Sequence, residues 1–206
     1  MKRTMFVTIA MFVLASLVVG VVAAQEKKAA KKMPSQEEMM KRAEEAMTPG
    51  AMHKKLEALV GSWDAEVKIW MAGPGGEPTI SKATSETKLV LGGRYLMEEV
   101  SGLMMNQPFN GVGYTGYDNM NKKYTGFWID NMGTGMSTME GKADKDGMTF
   151  TLWGKMDDPM SGEKGKKAKY VTKVIDNNTH IFEVYDVTSH GDKTPTMVIT
   201  YTRKKS

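Results

Sequence analysis

The sequence predicts an all-β fold: a single up-and-down antiparallel barrel of about ten strands, with a short N-terminal helix capping one end. From Gly61 onward, apolar and polar residues alternate with a period of two, which is typical of strands with one buried face. Turn-forming residues recur about every 8–12 positions. Periodicity alone does not separate a barrel from a sandwich, but closure removes the two long edges that an open sheet would expose.

The chain of 206 residues is long enough for one domain and an extension. Residues 1–24 have the three parts of a secretory signal peptide: basic Lys2 and Arg3, an apolar run over 5–22, and small residues at 23–24. Cleavage at this site would yield an exported protein, periplasmic or secreted. The alternative is an uncleaved anchor in the inner membrane, because about 18 apolar residues can just span a bilayer.

Residues 25–50 are predicted to form a charged tether before a barrel domain at 51–206. The basic run 27–32 is typical of a solvated spacer, and it could also make weak contact with an anionic membrane surface. Ser35 is the predicted N-cap of a helix that carries acidic residues in its first turn and runs to about Met47.

The composition excludes several classes of function. Removing the two basic signal residues from 28 Lys and Arg leaves 26 against 24 Asp and Glu, a net charge of +2. This excess is too small to predict a nucleic-acid partner. The chain contains no cysteine, which excludes a cysteine nucleophile, a thiolate metal site and a lipidated cysteine.

Short turns divide the barrel domain into one helix at about 52–60 and ten predicted strands. In the first strand, Trp63 and Val67 share one face with the apolar residues between and after them. Asp146 and Gly147 supply a favoured hairpin turn. The strands are predicted at about 63–71, 78–90, 93–101, 108–117, 122–130, 134–143, 148–156, 166–175, 180–188 and 195–203.

The two ends of the domain resemble the lipocalin and fatty-acid-binding superfamily. Gly61-Ser62-Trp63 begins the first strand, and Arg203 ends the last. The resemblance implies that Trp63 plugs the floor of the barrel and that Arg203 covers its ring. A cation over an indole contributes roughly 0.5–2 kcal/mol, so Gly61, Trp63 and Arg203 are predicted to close the barrel rather than to bind a ligand.

A second resemblance runs through most of the domain, over about residues 47–204. The blocks that carry it are Pro49–His53, Leu91–Leu96, Pro108–Gly111, Gly116–Asn119, Trp128–Gly135 and Tyr201–Lys204. Together they resemble the bacterial family named domain of unknown function 1579. The resemblance implies a lipocalin-like, calycin-type barrel, and it brings no activity or active site with it.

Polar and aromatic residues within the strands are predicted to line a ligand cavity inside the barrel. Arg94 could hold a ligand carboxylate through its guanidinium fork; alternatively it pairs with Glu98 or faces outward. Trp128 is either core or rim packing or a platform for a ligand. The full set of predicted interior residues is Arg94, Glu98, Tyr114, Tyr117, Trp128, Asp130 and Tyr185.

The remaining patterns favour structural interpretations. The chain has 20 methionines, of which Met132, Met136 and Met139 are loosely spaced like a thioether copper site. Methionine is also a flexible core filler, and these residues are spread along the whole chain. No Gly-x-Ser-x-Gly elbow is present. The histidines share no zinc-ligand spacing; they are His53, His180 and His190.

Three functions remain open after these observations. By analogy of architecture, the barrel is expected to bind a small apolar or amphipathic molecule in its interior. An envelope enzyme is the alternative if Arg94, Glu98 or Asp130 is buried there with a perturbed pKa. The third is a filled barrel that acts through its outer surface. No metal or cofactor is expected, and the oligomeric state stays open.

Overall fold

The computed structural model describes residues 33–205, and it confirms the predicted fold class. Ten antiparallel strands pair in chain order, and the first strand pairs with both the second and the last, so the barrel is closed. The predicted signal at 1–24 and the basic run at 27–32 lie outside the described residues. Within 33–205, no helix combines the length and the apolar character that crossing a membrane requires.

The strands follow the predicted order closely. They are β1 (Gly61–Ile69), β2 (Thr79–Val90), β3 (Tyr95–Met104), β4 (Gln107–Asp118), β5 (Lys123–Asp130), β6 (Ser137–Ala143), β7 (Thr149–Met156), β8 (Lys166–Asp176), β9 (Thr179–Asp186) and β10 (Met197–Arg203). The helices are α1 (Gln36–Met47), α2 (Ala51–Lys54), a 3-10 helix (Lys55–Leu59) and α3 (Val187–His190). The predicted helix at 52–60 is thus a short α-helix that continues as a 3-10 helix.

The described residues divide between Arg42 and Ala43 into two compact units. In the first unit, helix α1 begins with a capping box, which confirms the predicted N-cap. The Ser35 Oγ accepts the Glu38 N–H at 3.2 Å, and the Glu38 carboxylate accepts the Ser35 N–H at 3.0 Å. These two bonds satisfy backbone donors that a helix start otherwise leaves free. None of the residues of α1 is buried.

In the second unit, side chains from two barrel turns satisfy the last carbonyls of α1. The Asn119 Nδ2 donates to the Glu45 carbonyl at 2.9 Å and to the Thr48 carbonyl at 2.8 Å. The Arg94 guanidinium donates to the Met47 carbonyl at 2.7 Å. Carbonyls at a helix C-terminus lack partners within the helix, so these bonds end the helix cleanly.

One end of the barrel is closed by Trp63, which is completely buried. Its Nε1 donates to the Leu59 carbonyl at 3.1 Å. The Arg203 guanidinium lies 4.0 Å from the centre of the indole, and it donates to the carbonyls of Val60 at 2.8 Å and Asn177 at 2.7 Å. The first strand, the last strand and the 3-10 helix are therefore held together at one point.

Gly61 allows this arrangement because it has no side chain. Its φ of +143° lies where residues with a Cβ are strained. A Cβ built there would also overlap the Arg203 Nη1. The 3-10 helix adds apolar residues beneath the closed end, where Leu56 packs with Tyr124 and Phe150, whose rings meet edge-to-face at 5.1 Å.

The opposite, open end carries the connections over residues 70–78, 105–106, 131–136, 157–165 and 187–196. Lys166 begins β8 there and is buried. Its Nζ lies 2.6 Å from Asp186, 3.3 Å from Glu163 and 3.5 Å from Asp158. The hydrogen bond to Asp186 raises the pKa of Lys166. This cluster ties the 157–165 connection to the rim.

A candidate ligand-binding cavity

The barrel encloses a cavity of about 390 Å³. Side chains alternate between the two faces of a strand, so every second residue of a strand faces the interior of the barrel. Most of the wall is apolar and is formed by residues such as Leu96, Val100, Leu152, Val184 and Ile199. The cavity extends from the 3-10 helix at the closed end to Met104, Phe109 and Met156 at the open end.

Glu98 lies on the cavity face of β3, toward the closed end. Its cross-strand partners are Thr87 on β2 and Gly113 on β4. The Ser85 hydroxyl donates to the Glu98 Oε1 at 2.8 Å and lies 3.3 Å from the Thr87 hydroxyl. The Tyr201 hydroxyl also hydrogen-bonds the Glu98 carboxyl. The Trp128 ring lies over Gly113, and Glu98 itself lines the cavity.

Burial raises the pKa of Glu98, while the hydrogen bonds from Ser85 and Tyr201 act in the opposite direction and stabilise the carboxylate. Burial and the neighbouring Glu98 carboxyl raise the pKa of Tyr201, which is therefore a neutral hydrogen-bond donor. Among the ion pairs of residues 33–205, none involves Glu98. Among the described residues, the partners of the carboxyl are the hydroxyl groups of Ser85 and Tyr201.

His180 lies beside this carboxyl cluster and also lines the cavity. Its ring stacks on Tyr201 at 4.2 Å and meets Trp63 edge-on at 4.4 Å. Its Nδ1 is buried and has no hydrogen-bond partner in the described part of the chain. Burial, assisted by the nearby Arg203 charge, lowers the pKa of His180 to about 4. The imidazole is therefore neutral near pH 7 and brings no positive charge to the cavity.

Trp128 and Asp130 lie toward the open end, on the cavity face of β5. The Trp128 Nε1 donates to the Asp130 Oδ2 at 2.8 Å, and the ring stacks at 6.4 Å on Phe109. The indole rests on two glycines of β4: a Cβ on Gly111 would overlap its Cζ2, and one on Gly113 would lie 2.8 Å from its Cε3. Because these two glycines have no side chains, the Trp128 ring fits against the backbone of β4 inside the barrel.

Of the seven predicted interior residues, Glu98, Trp128 and Asp130 line the cavity with their side chains. Tyr114 belongs to the cavity wall, but its ring stacks on Phe127 at 5.2 Å, and its hydroxyl donates to the Met97 Sδ at 3.3 Å. These three residues are cross-strand partners on the face opposite to Glu98 and Trp128. The Tyr114 ring therefore faces outward.

Two further predicted residues lie near the closed end and outside the cavity. Arg94 is exposed in the turn before β3, where its guanidinium donates to the Leu91 and Met47 carbonyls. It precedes the strand and so does not share in the alternation that turns Glu98 inward. Tyr117 does face the interior side of β4, but its ring packs below the cavity, 5.0 Å from that of Tyr124.

Tyr185 was expected inside the barrel and lies on its outer face. The Lys169 Nζ stands 3.8 Å from the centre of its ring, and its hydroxyl donates to the Glu183 carboxylate at 2.7 Å. Its neighbours Val184 and Asp186 point inward, so the alternation along β9 sends Tyr185 outward. Burial and Glu183 raise its pKa, which keeps the hydroxyl protonated.

Ser85, Tyr201 and His180 also belong to the site, although the sequence does not predict them there. Ser85 and His180 are unremarkable in the linear sequence. Their place in the site follows from the cross-strand register, in which Ser85 is the partner of Trp63 and His180 is the partner of Tyr201. Strands that are distant in sequence supply one cluster, and no local pattern indicates that grouping.

With the fold and the cavity described, comparison with known proteins places the chain in a family. The model of the family described as "Protein of unknown function (DUF1579)" matches residues 48–203. The chain belongs to this family. The match confirms the resemblance predicted from the sequence. No curated protein matches the DUF1579 chain.

Among solved structures, the DUF1579 barrel is similar to the crystal structure of Rv2717c from M. tuberculosis. The TM-score is 0.55 at 12% sequence identity, and the match covers 77% of this chain and 100% of that chain. At such low identity, the similarity supports the β-barrel fold alone.

Proposed function

We propose that this DUF1579 barrel binds a small apolar or amphipathic molecule in its interior. The observation that supports the proposal is the cavity of about 390 Å³, which lies within the usual range of roughly 300–1,000 Å³ for small-molecule sites. Its wall is largely apolar, and one polar cluster around Glu98 stands at its inner end. An apolar wall with a few convergent polar groups is typical of a ligand site.

The same observation argues against a filled barrel that acts only through its surface. Ser81 and Ala83 on β2 line the cavity with small side chains, which leave space that larger side chains would occupy in a packed core. The space over Gly111 and Gly113 on β4 is taken by the Trp128 ring. A cavity of this size lowers stability, so its presence favours a function that uses it.

Titration with N-phenyl-1-naphthylamine, an uncharged fluorescent lipophile, tests the proposal. We expect saturable binding by the wild-type protein and weaker binding by Val100→Phe, because the added ring fills part of the cavity lined by Val100. The matched control is Val112→Phe, since Val112 is a cross-strand partner of Glu99 on the outer face.

Unchanged binding by a folded Val100→Phe variant, or an equal loss in Val112→Phe, would mean that the probe does not enter the barrel. Absence of saturable binding by the wild-type protein would refute the proposal directly. Circular dichroism and the melting temperature of each variant establish that it is folded.

Catalysis is a second candidate, and Glu98 is the observation that favours it. A cavity carboxyl whose pKa is raised by burial is a candidate for transferring a proton to or from a bound substrate. Its neighbours are the Ser85 and Tyr201 hydroxyls and the neutral His180 ring. These hydroxyl groups and the neutral imidazole are equally suited to hydrogen-bonding a polar group of a bound ligand. The cluster does not by itself indicate catalysis, so we rank catalysis behind binding.

We further propose that the protein is exported, on the strength of the three-part pattern at residues 1–24. The intact mass of the protein from its native cell tests this. A chain that begins at Gln25 supports cleavage, and one that retains Met1 supports the anchored alternative. Weak membrane contact through residues 27–32 stays a prediction.

A further inference from the structure

The charges that line the cavity all have the same sign. Within the described part of the chain, the lining contains the carboxyl groups of Glu98, Asp130 and Asp157 and no lysine or arginine. His180, the remaining titratable nitrogen in the lining, is neutral near pH 7. The chain as a whole has a formal charge of +4, so the acidic lining does not follow from the composition.

Three cations at the two ends of the barrel are engaged by other groups. At the closed end, Arg203 lies over Trp63 and donates to backbone carbonyls. Arg94 donates to carbonyls outside the barrel. At the open end, Lys166 is surrounded by three carboxylates, Asp158, Glu163 and Asp186. None of these three cations is free to bind an anionic group inside the cavity.

Glu98 is the lining carboxyl that lies deepest in the cavity. Both of its hydrogen-bond partners are uncharged hydroxyl groups, so no positive charge among the described residues compensates the carboxylate. The Ser85 hydroxyl engages Oε1 at 2.8 Å, and the Tyr201 hydroxyl adds a second hydrogen bond. A carboxylate in an apolar enclosure is costly unless a cation or several donors compensate it. A ligand that carries a cation would supply the missing charge, whereas a ligand carboxylate would be repelled.

We propose that the cavity is selective for lipophilic cations: an alkylammonium or similar group lies at Glu98, and its apolar chain lies along the wall toward the open end. Anionic lipids such as fatty acids are excluded by the same charge. This inference rests on the proposed binding function and assigns the chemical class of the ligand. The selectivity is electrostatic, because the apolar wall does not distinguish between head groups.

Three ligands with the same alkyl chain and different head groups test the class. They are decylammonium, decanol and decanoate, titrated by calorimetry at pH 7 below their micellar concentrations. We expect decylammonium to bind about tenfold more tightly than decanol, because one compensated charge is worth of the order of a factor of ten. Decanoate should bind more weakly than decanol.

The variant Glu98→Gln removes the charge and keeps an oxygen that can accept from Ser85. We expect it to bind decylammonium about tenfold more weakly while its affinity for decanol changes less than about twofold. The matched control is Glu99→Gln, the same substitution on the adjacent, outward-facing residue beside Lys88. It should retain the preference for decylammonium.

The outcomes separate this inference from the function on which it rests. If decanoate binds as tightly as decylammonium, or if Glu98→Gln keeps the full preference, the cation selectivity is wrong while the binding function stands. If Glu99→Gln loses the preference to the same extent, the ammonium binds the outer surface and the inference is again wrong. If none of the three ligands nor the naphthylamine probe binds, the proposed function itself fails.

Discussion

Glu98 and Glu99 are adjacent in sequence but lie in different environments, because strand alternation places them on opposite faces of β3. The Glu99 carboxylate is half exposed and lies 3.9 Å from the Lys88 Nζ on the outer surface. Glu98 faces the cavity and has Ser85 and Tyr201 as partners. One position along the chain thus decides between a carboxylate on the outer surface and a carboxyl that faces the cavity.

The raised pKa of Glu98 has a consequence for stability. A carboxyl whose pKa is higher in the folded state stabilises the fold fully below its unfolded pKa, and this contribution is lost as the pH rises through the folded pKa. The groups that face it, Ser85, Tyr201 and His180, stay uncharged at neutral pH. The carboxyl itself therefore carries the effect.

We predict that Glu98→Gln raises the free energy of unfolding relative to wild type above about pH 5 and that the difference vanishes below about pH 4. Urea denaturation over this pH range measures it. Glu99→Gln is the matched control and should show no such pH-dependent gain. A wild-type protein as stable at pH 8 as Glu98→Gln would contradict the prediction.

A second prediction at this scale concerns Gly61. The change Gly61→Ala places a Cβ against the Arg203 guanidinium at a φ of +143°. Displacing the cation from Trp63 and straining the backbone together should cost about 1–3 kcal/mol of stability. Chemical denaturation measures the loss. The control Gly76→Ala adds a Cβ with no heavy atom within 4 Å and should be nearly neutral.

At the scale of the element, β4 determines where the Trp128 side chain lies in the cavity. Gly111 and Gly113 occupy two successive inward positions of this strand, and their bare backbone supports the Trp128 ring on the neighbouring β5. Glycine weakens a strand interior, so two of them on one face indicate a close approach by another group. Here the group is an indole.

We predict that Gly111→Ala displaces the Trp128 indole, because the new Cβ would overlap its Cζ2. The expected cost is about 1–3 kcal/mol from overpacking, with a changed tryptophan emission spectrum. The Trp128→Phe background identifies that signal: the spectral change should disappear there. The control Gly135→Ala meets no atom within 4 Å and should leave both stability and emission unchanged.

At the scale of the whole molecule, closure depends on one pairing between the ends of the domain. β1 pairs with β10 over seven positions, from Trp63 with Arg203 to Ile69 with Met197. The last strand also supplies Tyr201, a partner of Glu98. Removing β10 would expose the edges of β1 and β9, which are templates for aggregation.

We predict that a chain truncated after residue 196 loses the cooperative melting transition and aggregates, whereas a chain that lacks only residues 205–206 melts like the wild type. Gel filtration and circular dichroism at increasing temperature distinguish the two. A soluble, cooperatively folded protein without β10 would show that closure is not required for folding.

The prediction of the elements succeeded because it used local information. Apolar alternation and turn residues lie within a few positions of one another, and each strand bound is set by its own turns. The least accurate bounds lie at the open end, where β3 continues to Met104 and β6 begins only at Ser137. At that end, the last paired residue of a strand depends on how far the neighbouring strand continues beside it, and local sequence does not show this.

The candidate site was predicted only in part. Glu98, Trp128 and Asp130 were selected as polar or aromatic residues within strands, and they line the cavity. Tyr185 was misplaced because alternation defines two faces and does not say which of them is the inside. Ser85 and His180 were missed because hydroxyl and imidazole groups become a site only when distant strands bring them together.

The sequence by itself determined the fold class, the order of the strands, the family and the helix cap at Ser35, because each follows from local periodicity or from motifs that are contiguous in the chain. The tertiary structure alone decided that the barrel is hollow, that its lining is acidic without lysine or arginine in the described part of the chain, and that Glu98, Ser85 and Tyr201 form one cluster. These properties depend on cross-strand register and on closure, which no single segment encodes.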